Sequence, residues 1–304
     1  MMKKELIMPP FLQSGDKVAI VSPSGKMDVK YIEGMAARLK SCGLQVLIGS
    51  FADAEYGRFA GTDDVRLYDL QSALDAPNVK AIFCSRGGYG CVHLVHRLNW
   101  THFKKSPKWL IGYSDITILH AAIQHQGCAS IHAPMAKHFT EEDEADEAVH
   151  LLKSFLFGEK LSYAVPNHPL NKQGRATGKL TGGNLSVLCG LRGTSFDLIP
   201  ENAILFIEDI GERPYQVERM LYNLKLGGIL EKLSGLIIGQ FTDYEEDPLM
   251  MLPLYENMAS LVAEYDYPVC FDFPVGHVTK NYPLICGGNY SFEVREEGVK
   301  LELL

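Results

Sequence analysis

The chain has 304 residues, 46% of them apolar, and a formal charge of −8, so it can bury two cores, and with no long basic run nucleic acid is an unexpected partner. No window approaches the ~18 apolar residues of a membrane span, and the start MMKKELIMPPFLQSGDK lacks the continuous apolar stretch of a signal peptide, so neither a membrane partner nor export is expected. Seven cysteines (Cys42, Cys84, Cys91, Cys128, Cys189, Cys270, Cys286) are odd in number and include no C-x-x-C, which favours reduced thiols in a cytoplasm over a disulfide framework or a zinc ribbon.

The first half alternates. KVAIVS (17–22) reads as a buried strand and VKYIEGMAARLKSC (29–42) as an amphipathic helix. LQVLIG (44–49) is a strand, and DDVRLYDLQSALDA (63–76) is a helix whose first acids suit its dipole. KAIFCS (80–85), CVHLVHRL (91–98), KWLIGY (108–113) and ITILHAAIQHQ (116–126) continue as strand, helix, strand, helix. Apolar strands alternating with helices predict a parallel sheet covered on both faces. Ligands of such sheets bind beyond the carboxyl ends of the strands. Ser22-Pro-Ser-Gly25, Ser85-Arg-Gly-Gly-Tyr-Gly90 and Gly112-Tyr-Ser-Asp115 lie there.

An acidic helix over 141–158 closes this half, and the polar, Gly/Pro/Asn-rich stretch 161–184 reads as a crossing linker with the first strands of a second domain. Then come a strand at AILFIED (203–209), a helix from Pro214 to about Lys225, a strand at GLIIGQF (235–241), a helix near 249–264 and a strand at PVCFDF (268–273). The end, NYSFEVREEGVKLELL, alternates apolar and polar about Glu297-Gly298, a hairpin pattern.

Several residues could carry chemistry. Ser114 lies in G-x-S-x-I, where Ile116 replaces the second glycine of the familiar nucleophile elbow, so the stretch taken alone reads first as a helix N-cap and second as an elbow. SRGGYG lacks the Walker lysine and the G-x-G-x-x-G spacing. Its glycines either expose backbone N–H groups to an oxyanion or make a plain tight turn. His277, leaving a strand through Pro and Gly, can be a general base or a loop histidine. Glu208, at the end of an apolar strand, could orient such a base; Asp209 and Glu212 read as cap or surface charges. His93 and His96, a helical turn apart near Cys91, find no third metal ligand of fitting spacing. Cys84 ends a strand and reads as buried and inert.

Five motifs in order, SRGGYG, GYSD, TGGNLSVL, FIEDIGERPYQVERML and FPVGH, resemble the LD-carboxypeptidase family, serine peptidases that include the microcin C immunity proteins. RFAGTDDVRLYDL and IHAPM also resemble family segments, the latter with Ala133 where the family often has glycine. The resemblance runs from about Lys17 to Gly288. It implies an α/β fold: a flavodoxin-like, parallel-sheet nucleophile domain (1–160), a linker (161–183), and a smaller mixed α/β domain with a β-rich, barrel-like core (184–304). It also implies a Ser–His–Glu triad of Ser114, His277 and Glu208, with oxyanion donors on the backbone of Asp115 and Gly88 and no cofactor or metal.

The expected activity is that of a muramoyltetrapeptide carboxypeptidase, which removes the terminal D-alanine of a murein-derived peptide at an L,D-amide bond. Arg86 could bind the terminal carboxylate or hold its loop by a salt bridge. A cytoplasmic homodimer is expected. The alternatives are an immunity-type hydrolase of peptidyl or aminoacyl nucleotides and, in another class, a non-catalytic two-domain ligand-binding protein.

Overall fold

The computed structural model describes residues 6–140, 147–197 and 199–304. The chain divides into two units, Met1–Glu159 with Tyr282–Ile285, and Lys160–Asn281 with Cys286–Leu304. The first contains β1 (Lys17–Val21), α1 (Val29–Ser41), β2 (Gln45–Ile48), α2 (Asp63–Asp75), β3 (Val79–Cys84), α3 (Cys91–Leu94), α4 (Thr101–Lys105), β4 (Trp109–Gly112), α5 (Thr117–His125), β5 (Ser130–His132) and α6 (Glu147–Leu156). The chain continues with β6 (Ser162–Val165), β7 (Gly174–Asn184), α7 (Leu185–Gly190), β8 (Ile204–Ile210), α8 (Pro214–Leu226), β9 (Gly235–Thr242), α9 (Leu254–Val262), β10 (Val269–Cys270), β11 (Leu284–Cys286), β12 (Asn289–Arg295) and β13 (Gly298–Leu303).

In the first unit the strands line up as β2-β1-β3-β4-β5, parallel throughout, with β11 added beside β5. This is the flavodoxin-like strand order, which reverses between β1 and β3. β3 is buried along almost its whole length, as a strand covered on both faces must be. α1 follows its sequence pattern: Asp28 caps it by accepting from the Lys30 N–H at 3.0 Å, and Ile32, Met35, Ala36 and Leu39 bury one stripe. The segment 91–98 forms a single α-turn and then a 3-10 turn rather than one helix. Of the acidic helix expected over 141–158, Glu147–Leu156 is helical, and 141–146 lie outside the described residues.

The second unit has a seven-stranded mixed sheet, β10-β9-β8-β7-β12-β13-β6. It is parallel from β10 to β7 and antiparallel from β7 to β6. β8 is buried on both faces, whereas β12 alternates buried and open positions, the reason its hairpin was legible. Lys172, between β6 and β7, exchanges two backbone bonds with Val269 of β10, at 2.9 and 3.0 Å. The connection leaving one edge strand thus pairs with the other edge strand, giving the barrel-like closure. Residues 161–183, expected as a linker, carry β6 and most of β7. Their Gly and Pro residues mark the turns of a sheet, not a tether between domains.

Candidate active site

Ser114 lies one residue beyond β4, after Tyr113, and opens a 3-10 turn that runs into α5. Its φ is +65°, a left-handed conformation that costs a non-glycine residue about 1–3 kcal/mol. A helix N-cap needs extended backbone, so the cap reading fails here on geometry. The strained turn is what a nucleophile elbow requires, although the sequence lacks the second glycine.

The glycine loop after β3 comes close to this serine. A methyl group built on Gly87 would lie 2.6 Å from Ser114 Cβ and 2.9 Å from its Oγ, so only glycine allows the approach. The contact falls on Gly87 rather than on Gly88, which has φ +104° and faces Gly25. Arg86 is exposed and donates from Nη1 to the Lys26 carbonyl at 2.9 Å, which ties its loop to the one after β1.

Asp115 is buried, and its Oδ2 accepts from Ser24 Oγ at 2.6 Å and from the Cys91 N–H at 2.8 Å. Cys84 is fully buried, and burial, reinforced by the Asp115 charge, pushes its thiol up, which makes it a poor nucleophile. His93 contacts Asp63 Oδ1 through Nδ1 at 3.2 Å and packs edge-on to Tyr89.

In the second unit, Glu208 sits near the carboxyl end of β8, where the pairing with β9 shifts register between Ile207 and Asp209. Such irregularities re-aim side chains, often beside active sites. Its side chain is fully buried, and Oε2 accepts from His277 Nδ1 at 2.8 Å. A histidine held this way presents Nε2 as its basic nitrogen, and the carboxylate stabilises the imidazolium once a proton arrives.

His277 is delivered by an unusual edge. β10 ends at Cys270, Asp272 adopts φ +57°, and the chain then rejoins β9. There Phe273 N–H donates to Ile238 O and Gln240 N–H to Val275 O. Gly276, φ +131°, has its N–H held by Asn281 Oδ1 at 3.0 Å, and its missing Cβ leaves room for Glu208.

Asp209 is a buried cap. It accepts from the Ser186 N–H at 2.8 Å and from Asn184 Nδ2 at 2.8 Å, at the start of α7. Burial pushes its carboxyl up, the hydrogen bond from the adjacent Ile210 N–H opposes this, and the neighbouring Glu208 charge adds to it. Glu212 is half-buried, and burial followed by the Asp209 charge raises it as well.

The structure therefore brings Glu208 and His277 together, and it places Ser114, Asp115 and the glycine loop around the carboxyl ends of the first unit's strands. Sequence reasoning missed Gly87, Ser24 and Arg66 as parts of this arrangement. SRGGYG marked its glycines as candidate oxyanion donors but not the close approach of Gly87 to Ser114, Ser22-Pro-Ser-Gly25 marked Ser24 only by its place beyond a strand end, and an arginine within a helix carries no signal of burial.

Residues 18–133 match the LD-carboxypeptidase N-terminal domain, and residues 177–292 the LD-carboxypeptidase C-terminal domain. A protein of Bacillus subtilis named probable murein peptide carboxypeptidase is 32% identical, over 97% of this chain and 94% of its own length. The murein tetrapeptide carboxypeptidase of Pseudomonas aeruginosa is 32% identical, over 87% of this chain and 89% of its own. The crystal structure of muramoyltetrapeptide carboxypeptidase from Oxalobacter formigenes superposes with a TM-score of 0.87 at 29% identity, covering 94% of this chain and 98% of that one. A chain matched at this level along almost its whole length, in both domains, belongs to the LD-carboxypeptidase family.

Proposed function

We propose that this protein is a serine carboxypeptidase that removes the C-terminal D-alanine of murein tetrapeptides by cutting the L,D-amide bond before it. Ser114 Oγ attacks the scissile carbonyl, and His277 Nε2 takes its proton and passes it to the leaving D-alanine amine. Glu208 holds the imidazole and stabilises its charged form. The backbone N–H groups of Asp115 and of the glycine loop, Gly88 among them, stabilise the oxyanion. Water, deprotonated by His277, then releases the shortened peptide and restores Ser114. Arg86 lies exposed on the glycine loop and is the candidate for the terminal carboxylate.

The observation that carries the chemistry is the buried Glu208 carboxylate holding His277 Nδ1 at 2.8 Å. The strained Ser114 supports it, and the substrate class comes from the names of the relatives. By the same resemblance, we propose that the enzyme works in the cytoplasm as a homodimer. Among the described residues, no helix is long and apolar enough to cross a membrane.

The test compares kcat/KM on two tetrapeptides differing only at the last centre. Fixing the carboxylate fixes the last Cα, so an L-alanine methyl meets a wall, at about 1–3 kcal/mol, and displaces the carbonyl, at roughly 10²-fold in rate. The D-form should be preferred by at least about 10³-fold, and Ser114→Ala should lose about 10⁴–10⁶ of the activity. Equal rates on the two peptides would overturn the substrate assignment, and a near-normal Ser114→Ala enzyme would overturn the mechanism.

A further inference from the structure

Two buried charges of the first unit lie outside the chemistry described so far, and they grip the same pair of loops. Asp115 Oδ2 accepts from Ser24 Oγ at 2.6 Å and from the Cys91 N–H at 2.8 Å. Arg66, on α2, donates from Nη1 to the carbonyls of the preceding residues, Pro23 at 2.6 Å and Gly90 at 3.0 Å. The two side chains are 2% and 1% exposed, too buried to be incidental surface charges.

The peptide unit between Gly90 and Cys91 is therefore bonded at both ends. Its C=O points at a guanidinium and its N–H at a carboxylate, so rotating its plane breaks a charge-assisted hydrogen bond at each end, a costly change in a buried site. Gly90 has φ +141°, and a methyl group there would lie 2.6 Å from Arg66 Nη1, so the loop ends in glycine to admit the arginine. Arg66 is itself fixed, by an ion pair with Asp63 and by packing over the Phe59 ring at 5.1 Å.

The other end of the glycine loop is pinned as well. Ser85 N–H donates to Val21 O at 2.8 Å, and its hydroxyl meets that of Ser22 at 2.6 Å. Between these anchors Gly87 O accepts from Gly25 N–H at 2.9 Å, while Gly87 itself abuts Ser114.

We propose that Arg66 and Asp115 are positioning residues of the hydrolase, forming a charged clamp that sets the glycine loop against Ser114 before substrate arrives. Asp115 then has two roles: its N–H faces the oxyanion, and its carboxylate fixes the loop that carries the other donor. Oxyanion donors help only when they are held where charge develops, so the clamp acts on kcat more than on binding. This inference rests on Ser114 being the nucleophile.

The test uses Ser24→Ala, Asp115→Asn, Arg66→Lys and the double variant Ser24→Ala with Asp115→Asn. kcat and KM on the D-alanine tetrapeptide, the rate of fluorophosphonate labelling at Ser114, and the melting temperature are measured well below the melting point of each variant. Asp115→Asn and Arg66→Lys should lower kcat about 10- to 100-fold with KM within about threefold, and labelling should slow in parallel. Ser24→Ala should cost about 3- to 10-fold and add little to Asp115→Asn, because the two act as one unit. Ser24→Ala is small enough to fold even where a charge variant does not. Unchanged kcat in the folded variants, or losses that follow only the melting temperature, would refute the clamp while an inactive Ser114→Ala left the hydrolase reading standing. An active Ser114→Ala would instead remove the foundation of both.

Discussion

A single methyl group at position 276 should spoil the Glu208–His277 pair. It would lie 2.9 Å from Gln240 O, 3.0 Å from Glu208 Cβ and 3.2 Å from Glu208 Oε2. The first neighbour is backbone and cannot yield, so the segment carrying His277 must move. The backbone at φ +131° adds strain of about 1–3 kcal/mol. Gly276→Ala should therefore lose about 10²-fold in kcat, the scale of a 1 Å misplacement. Gly57→Ala is the control, since position 57 also has positive φ but nothing within 4 Å of the added carbon. Equal activity of the two variants would mean that the pair tolerates the shift. At this scale Ser114, Glu208 and His277 were singled out in the sequence, as the expected triad, by the resemblance of their motifs rather than by local pattern, which left each a second reading. Gly87 and Arg66 were not, since a close approach and a buried charge depend on contacts across the fold that no local pattern records.

Elements were legible where periodicity was long and failed where the chain gave only a few residues. β5 has three residues and β10 two, and Asp272 at φ +57° interrupts the run read as a strand over 268–273. One link between elements has a pH consequence. His120, on α5 and fully buried, bonds through Nε2 to Gly112 O at 2.9 Å and through Nδ1 to Ser130 Oγ at 2.8 Å. It joins the helix after the elbow to the end of β4 and the start of β5. The carbonyl can only accept, so Nε2 carries the proton and Nδ1 accepts from the serine hydroxyl. Burial lowers the imidazole from 6.5 to about 4, against the Gly112 hydrogen bond. Between those values the unfolded chain holds a proton that the folded chain excludes, so stability falls as pH drops from about 6.5 towards 4 and the loss then levels off. The contribution is about 3 kcal/mol at most. Urea unfolding of wild type and His120→Gln at pH 7, 6, 5 and 4.5 isolates it, because other groups cancel in the difference. The wild-type advantage should shrink steadily over that range, and a constant gap would show that His120 is not held neutral.

At the scale of the whole molecule, the division into an alternating α/β half and a β-rich half was legible from the change in pattern near residue 160. The return of the chain to the first sheet was not. Tyr282–Ile285 belong to the first unit, while Asn281 and Cys286 on either side belong to the second. Three apolar residues between a glycine-flanked loop and a hairpin give no sign of which sheet they join; only the bare edge of β5 decides it. An uncovered apolar edge is open to further pairing and aggregation, so β11 completes the parallel sheet as well as extending it. Leu284 and Ile285 are each fully buried, which is worth on the order of 3–6 kcal/mol together by area and is an upper bound. Residues 1–160 alone should therefore be markedly less stable than the same fragment carrying residues 281–287 on a flexible Gly/Ser linker. The check is the urea midpoint of the two fragments, with light scattering to follow association through the open edge. The fused strand should raise the midpoint and suppress scattering, whereas a strand with Ile285→Asp should do neither. Identical midpoints for bare and fused fragments would mean that the sheet closes without β11 and that the domain boundary expected at residue 160 divides the protein physically as well as in pattern.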